Sequence, residues 1–94
     1  MTKEKVLNLL KEEKPFLMQN FKVKKIGIFG SFLKDETKAD DLDIYVEFEK
    51  KSFDNIAGLW NYLEKKFGKV DIYYPHKFSK KEILKKIQKD IIYG

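Results

Sequence analysis

Two aspartates, Asp41 and Asp43, stand on either side of Leu42 in a run that alternates polar and apolar residues. Successive side chains of a β-strand point to opposite faces, so both carboxylates are expected on one face and Leu42 on the other. Two carboxylates held side by side repel each other, and a bound divalent cation removes that cost. Oxygen ligands favour magnesium, with manganese as the alternative. An isolated pair of this kind can also be an acidic, solvent-facing strand edge, so the metal hypothesis needs further residues.

Gly30, Ser31 and Lys34 supply a second kind of chemistry shortly before the aspartates. A strand that runs into glycine and serine, with a helical turn after it, exposes backbone N–H groups that can hold a phosphate. The serine hydroxyl adds one donor, and Lys34, about one helical turn later, can meet the same phosphates as a point charge. The alternative for these residues is an ordinary glycine turn.

Asp71 is the third acidic candidate and lies in the run Lys69-Val70-Asp71-Ile72-Tyr73. Its neighbours alternate with it, so Asp71 is expected to point away from the core as Asp41 and Asp43 do. If the two strands are adjacent, the three carboxylates converge, and Asp71 can complete a two-metal site or accept a proton from an attacking hydroxyl. A phosphate-binding turn followed by metal-binding acids, in this order, provides the parts that phosphoryl transfer needs.

Tyr45 and Tyr73 each follow an acidic residue by two positions and therefore belong to the same strand faces. Two interpretations stay open for them. They can stack on a nucleotide base, or they can pack under a helix or at an interface.

Three strands are predicted to hold these residues, at 23–29, 42–48 and 70–74, because each run is rich in β-branched and aromatic residues and is bounded by turn residues. Between and around them, the spacing of apolar residues predicts three helices. The first runs over about 3–18, is capped by Thr2, and is expected to kink or end early at Pro15.

The second helix is expected to begin after Ser52, to end at Gly68 and to bury one apolar stripe. The third has a capping box, Ser79-Lys80-Lys81-Glu82, at its start. The residues expected to be buried by these two helices are Phe53, Ile56, Trp60, Leu63 and Phe67, and then Ile83, Leu84, Ile87 and Ile91. The element order predicts one α/β domain over 1–94, with a small, mixed, three-stranded sheet and helices on one face.

The composition narrows the classes of function. The chain has 94 residues, a net charge of +5 and no cysteine, which excludes disulfides and thiolate metal sites. Its longest apolar stretches, of about five residues, fall far short of the ~20 that a membrane span needs, so we predict a cytoplasmic protein with no membrane partner. All 20 basic residues are lysines, and they are spread along the chain. This distribution favours a solvated surface over a nucleic-acid-binding face.

With these residues in view, the chain resembles a known family. Gly30-Ser31, nine intervening residues and then Asp41-Leu42-Asp43 look like the Gly-Ser…Asp-x-Asp signature of the DNA polymerase beta-like nucleotidyltransferase superfamily. The size of the chain and the runs Ile-Phe-Gly-Ser-Phe and Asp-Leu-Asp-Ile-Tyr-Val are most similar to its minimal nucleotidyltransferases. The resemblance covers about residues 23–74.

The resemblance implies a polymerase beta-like fold and a role for each site residue. Asp41, Asp43 and Asp71 would form the catalytic acidic triad that binds two magnesium ions. Gly30 and Ser31, helped by Lys34, would hold the triphosphate of ATP.

In this family the nucleotidyltransferase acts as an antitoxin by adding AMP to a tyrosine of a partner HEPN toxin, a helical ribonuclease. The resemblance implies that role here, with ATP and a HEPN protein as partners. Two other classes stay open: a non-catalytic antitoxin that only masks its partner, and a lysine-rich module that binds nucleic acid.

Overall fold

The fold was analysed in a computed structural model, which describes residues 2–30, 42–75 and 81–94. The described helices and strands follow the order that the sequence predicts, with one further strand after the last helix. In chain order, the elements are α1 (Lys3–Phe21), β1 (Val23–Phe29), β2 (Leu42–Phe48), α2 (Phe53–Phe67), β3 (Val70–Tyr73), α3 (Lys81–Asp90) and β4 (Ile92–Tyr93).

The sheet is mixed, as predicted, and has the strand order β3-β2-β1-β4. β1 and β2 are antiparallel, whereas β2 and β3 are parallel and are joined across the sheet by α2. A parallel pair requires such a crossover connection, which explains why a helix separates these two strands in the sequence. The predicted α/β class with a mixed sheet is therefore confirmed.

The sheet has four strands among the described residues rather than the predicted three. The additional strand, β4, pairs antiparallel with β1 at Gly27 and Ile28. The C-terminal residues pack closely against Gly27. A Cβ atom on Gly27 would lie 2.7 Å from both a side-chain carbon of Ile91 and the carbonyl oxygen of Ile92. A two-residue strand carries no detectable alternation, so only its pairing with β1 reveals it.

Helix α1 begins as expected, because the hydroxyl oxygen of Thr2 accepts a hydrogen bond from the backbone N–H of Lys5 at 3.2 Å. The prediction that the helix ends early at Pro15 is wrong, since α1 continues through it to Phe21. Proline removes one backbone hydrogen bond, and the apolar residues that α1 buries on both sides of it offset that loss. These buried residues are Val6, Leu10 and Leu17.

Helix α2 has the predicted ends. The hydroxyl oxygen of Ser52 accepts a hydrogen bond from the backbone N–H of Asn55, and Gly68 follows the helix with a φ of +83°. Its buried side chains are Leu59 and Leu63, whereas Phe53, expected in the stripe, is 83% exposed. At 100° per residue, Phe53 lies about 100° around the helix from the centre of the Leu59–Leu63 pair, outside the buried stripe.

Helices α1 and α2 cover one face of the sheet, and the hydrophobic core lies between these helices and the sheet. The helix α3 residues Leu84 and Ile87 are half-buried. The side chain of Ile83 and the predicted cap at Ser79 lie outside the described residues. No described helix combines the length and apolar character that crossing a membrane requires. The core residues supplied by the sheet are Val23, Ile26, Ile28, Leu42, Ile44, Val46, Val70 and Ile72.

Candidate active site

The face of the sheet opposite the core brings two of the predicted acids together. Asp43 in β2 and Asp71 in β3 are direct register partners of the parallel pair. Neighbouring strands are about 4.8 Å apart, and equivalent positions point to the same face, so the two carboxylates share one patch of surface. Asp43 is half-buried and Asp71 is exposed, so the pair can be reached from solvent.

Gly30 follows β1 at the edge of this patch and contacts one of the acids. Its φ is +82°, in the left-handed region that favours glycine. A Cβ atom on Gly30 would collide with the Oδ2 atom of Asp43 and lie 3.2 Å from its Cγ atom. The carboxyl group of Asp43 therefore occupies the space that a side chain at position 30 would need. The glycine is required here both by its backbone angle and by the acid that packs against it.

The other predicted site residues, Ser31, Lys34 and Asp41, lie outside the described residues, so their placement stays a prediction. Within residues 2–30, 42–75 and 81–94, no three metal-binding side chains form a cluster. What the described part of the site offers a cation is the Asp43–Asp71 pair, which supplies only oxygen donors. Such donors fit a hard divalent cation, with Asp41 as the expected third ligand.

Three tyrosines lie next to the acids on the same face, and we call Tyr45, Tyr73 and Tyr93 the tyrosine row. In the register of the sheet, Tyr45 pairs with Tyr73 on one side and with Gly27 on the other, and Gly27 pairs with Tyr93. The Tyr45 ring is fully buried. It stacks on the Tyr73 ring at a centroid distance of 6.5 Å and meets the Tyr93 ring edge-on at the same distance.

Phe29 joins the acids to the tyrosine row. It is the register partner of Asp43 in β1, and its ring meets the Tyr73 ring edge-on at 6.4 Å. Because β2 lies between β1 and β3, these two rings approach each other across the strand that carries Asp43. The rings of Phe29 and Tyr73 therefore form an aromatic surface next to the Asp43 carboxylate.

Charged groups flank the far side of the tyrosine row. Lys25 and Glu47 are register partners, each two residues along its strand from the Gly27–Tyr45 pair and away from the acids. The Tyr45 hydroxyl donates a hydrogen bond to Glu47 at 3.1 Å, and the Lys25 ammonium lies 5.8 Å from the centroid of the Tyr93 ring. Burial, and then the negative charge of Glu47, raise the pKa of Tyr93, which stays a neutral hydroxyl at physiological pH.

Sequence reasoning placed Tyr45 and Tyr73 on the acidic face but missed the other two aromatic residues. Phe29 carried a usable signal, because it alternates with the core residue Ile28 and directly precedes Gly30. Tyr93 carried none, since it reaches this face only through the pairing of β4 with β1.

The chain is similar to known proteins over most of its length. Residues 11–94 match the family model described as polymerase beta, nucleotidyltransferase. The chain is 36% identical to "Putative protein adenylyltransferase MJ1379" of Methanocaldococcus jannaschii, over 98% of this chain and 97% of that protein. It is 34% identical to "Protein adenylyltransferase MntA" of Thermococcus cleftensis, over 99% of this chain and 96% of that protein. No solved structure matches the chain.

The family match includes the turn at Gly30 and both described acids, and the relatives align with the chain over nearly their whole length. The resemblance inferred from the Gly-Ser and Asp-x-Asp motifs is therefore confirmed. The chain belongs to the polymerase beta nucleotidyltransferase family and is an enzyme of its minimal type.

Proposed function

We propose that this enzyme transfers AMP from ATP to a tyrosine hydroxyl of a partner HEPN toxin and acts as its antitoxin. The observation that carries the proposal is the register pair Asp43–Asp71 beside the turn at Gly30. The names of the aligned relatives, which describe protein adenylyltransferases, support a protein as the acceptor of AMP. The HEPN partner and the antitoxin role rest on the resemblance to minimal nucleotidyltransferases. We expect the reaction to take place in the cytoplasm.

The turn at Gly30 and the acidic residues have different proposed roles in nucleotide binding. The backbone N–H groups at Gly30 and Ser31, with the Lys34 ammonium, would hold the triphosphate. Asp41, Asp43 and Asp71 would hold two magnesium ions, for which manganese is the alternative. Such ions neutralise the phosphate charge and lower the cost of the developing negative charge. The protein's own task is to hold these acids at one place on a rigid sheet.

Asp71 has a second proposed role in the proton transfer. It is exposed at the edge strand β3, where an incoming hydroxyl can reach it, whereas Asp43 is half-buried against Gly30. Its carboxylate can accept the proton that the acceptor hydroxyl loses as its oxygen attacks the α-phosphorus. The new bond joins the acceptor oxygen to the α-phosphorus, and the bond to the leaving pyrophosphate breaks.

The test is incubation of the protein with magnesium, α-labelled ATP and the purified product of the neighbouring gene, which we expect to be a HEPN protein. We expect label on the partner, and at least a hundredfold slower labelling with Asp43→Asn or Asp71→Asn. Asp54→Asn is the matched control, because Asp54 is an exposed acid in the first turn of α2, away from the acid pair. Its labelling rate should equal that of the wild type.

Other outcomes separate the competing functions. If the partner stays unlabelled but is still inhibited, the enzyme does not act on it and masking explains the inhibition. If the protein instead binds nucleic acid with an affinity that falls steeply with salt, the nucleic-acid-binding alternative gains support. Label that persists in both site variants would contradict the assignment of Asp43 and Asp71.

A further inference from the structure

We propose that the tyrosine row, with Phe29, is the surface on which the acceptor's aromatic side chain lies during transfer. This inference rests on the proposed function and adds which residues of the enzyme receive the acceptor. The partner chemistry it requires is a tyrosine side chain presented by an exposed segment of another protein.

The features of the site follow one another in a fixed order along the strands. Phe29, Asp43 and Asp71 are in register across three strands. Gly30 lies on one side of these three residues along the strand direction, and the tyrosine row lies on the opposite side. The sheet face therefore presents a phosphate-binding turn, then the acids and then the aromatic rings. This order is fixed by backbone pairing, so it does not depend on side-chain rotamers.

The geometry of phosphoryl transfer constrains the direction from which the acceptor approaches. The attacking oxygen, the phosphorus and the leaving oxygen lie roughly in line. If the turn at Gly30 holds the leaving pyrophosphate and the acids flank the α-phosphorus, the attacking oxygen must approach from the side away from Gly30. That side is the tyrosine row.

The rings of the tyrosine row provide a surface that suits another aromatic ring. Tyr73 is half-buried and Tyr93 is 41% exposed, so both offer aromatic surface to an approaching molecule. Tyr45 lies fully buried between them, stacked on Tyr73. Aromatic rings favour stacked or edge-on aromatic partners at centroid distances of about 4.5–7 Å. A tyrosine ring laid on Tyr73 would extend towards Asp71, two residues earlier in β3.

These contacts assign separate roles within the row. Tyr73 is the residue expected to touch the acceptor ring. Tyr45 is a positioning residue, because it supports Tyr73 by stacking and is itself held by its hydrogen bond to Glu47. The acceptor phenol gives its proton to the Asp71 carboxylate, its oxygen bonds to the α-phosphorus, and pyrophosphate leaves.

The experiment compares a substitution of Tyr73 that keeps the aromatic ring with one that removes it. Tyr73→Phe keeps the ring, and Tyr73→Leu replaces it with an aliphatic side chain. The matched control is Phe53→Leu, because Phe53 is exposed at the start of α2 and outside the site. Initial rates are measured with the HEPN partner as the varied acceptor and then with ATP as the varied substrate.

We expect Tyr73→Leu to raise the KM for the partner about tenfold and to leave the KM for ATP within twofold, since an aromatic pair contributes a stacking energy of that order. Phe53→Leu should behave as the wild type does, and Tyr73→Phe, which keeps the ring, should raise the KM for the partner less than Tyr73→Leu does. The wild-type enzyme should label a partner whose modified tyrosine is replaced by serine more slowly than it labels the unchanged partner. In Tyr73→Leu the ratio between these two labelling rates should be smaller.

Three results would overturn the inference. A higher KM for ATP with an unchanged KM for the partner would show that the row binds the base instead. Equal kinetics for Tyr73→Leu and the wild type would show that the row is only structural. Label on a non-aromatic residue of the partner would exclude a tyrosine acceptor while leaving AMP transfer intact. If the wild type transfers no label at all, it is the proposed function that fails.

Discussion

The contact between Gly30 and Asp43 allows backbone strain to be separated from damage to the site. Gly30→Ala adds a methyl group where the carboxyl of Asp43 already lies. Gly68→Ala is a matched control, because Gly68 has a φ of +83° against +82° for Gly30. A Cβ atom on Gly68 meets nothing within 4 Å. Both variants therefore carry the strain of a positive φ, and only Gly30→Ala has the collision.

The expected magnitudes follow from these two effects. A non-glycine residue held at a positive φ costs on the order of 1–3 kcal/mol, so both variants should lose unfolding free energy in that range. In Gly30→Ala the new Cβ would also lie 3.2 Å from the Asp43 Cγ atom, against an optimal carbon–carbon separation of about 3.5–4.0 Å. The carboxylate must therefore move, and a displacement approaching 1 Å can lower a reaction rate about a hundredfold.

The assay is AMP transfer to the HEPN partner, measured well below the unfolding temperature of either variant, with urea unfolding of each protein in parallel. Gly30→Ala should transfer AMP about a hundredfold more slowly than Gly68→Ala, although Gly68→Ala is also destabilised. Equal activity in the two variants would refute the reasoning, because it would mean that the position of the Asp43 carboxylate does not matter for the reaction. Normal stability of Gly68→Ala would refute the assumed cost of strain.

Two further predictions concern stability. Pro15→Ala should raise the unfolding free energy by about 1–3 kcal/mol in urea titrations, because Pro15 is exposed inside α1 and alanine restores a helical hydrogen bond; an unchanged midpoint would contradict this. Glu13 accepts hydrogen bonds from the Tyr62 hydroxyl and from Lys66, and these bonds lower the pKa of Glu13 below its ordinary 4.5. A lowered pKa stabilises the fold above pH 4.5, and this contribution is lost as the pH falls through the folded-state value. Tyr62→Phe should therefore lower the melting temperature at pH 7, and its difference from the wild type should shrink at pH 3; a constant difference would show that Glu13 is not involved.

The Tyr62–Glu13 contact also shows how the helical side of the sheet is held together. Tyr62 in α2 stacks on Phe16 in α1 at a centroid distance of 5.0 Å, while its hydroxyl bonds to Glu13 one turn earlier in α1. Gly58 permits the same helices to approach, since a Cβ atom there would lie 2.8 Å from the Phe21 ring. These contacts lie on the covered face of the sheet and leave the acidic face available for substrates.

Local patterns in the sequence determined much of this protein. The bounds of β1 and β2 and the caps at Thr2 and Ser52 follow from residues close together in the chain, because strand alternation and helix capping act within a few residues. The same alternation places Asp43 and Asp71 opposite the core. The Gly-Ser and Asp-x-Asp motifs were sufficient to identify the family.

Only the tertiary structure decided which of these residues meet. Strand pairing sets Asp43 beside Asp71, brings the Asp43 carboxylate against Gly30, and carries Tyr93 onto the acidic face through β4. Tertiary packing also explains why α1 continues through Pro15, since the apolar surface that the helix buries on the sheet outweighs one missing hydrogen bond. The sequence specifies the face on which a strand residue lies, because that depends on the chain's own alternation. The neighbours on that face depend on the register between distant strands, which no local pattern encodes.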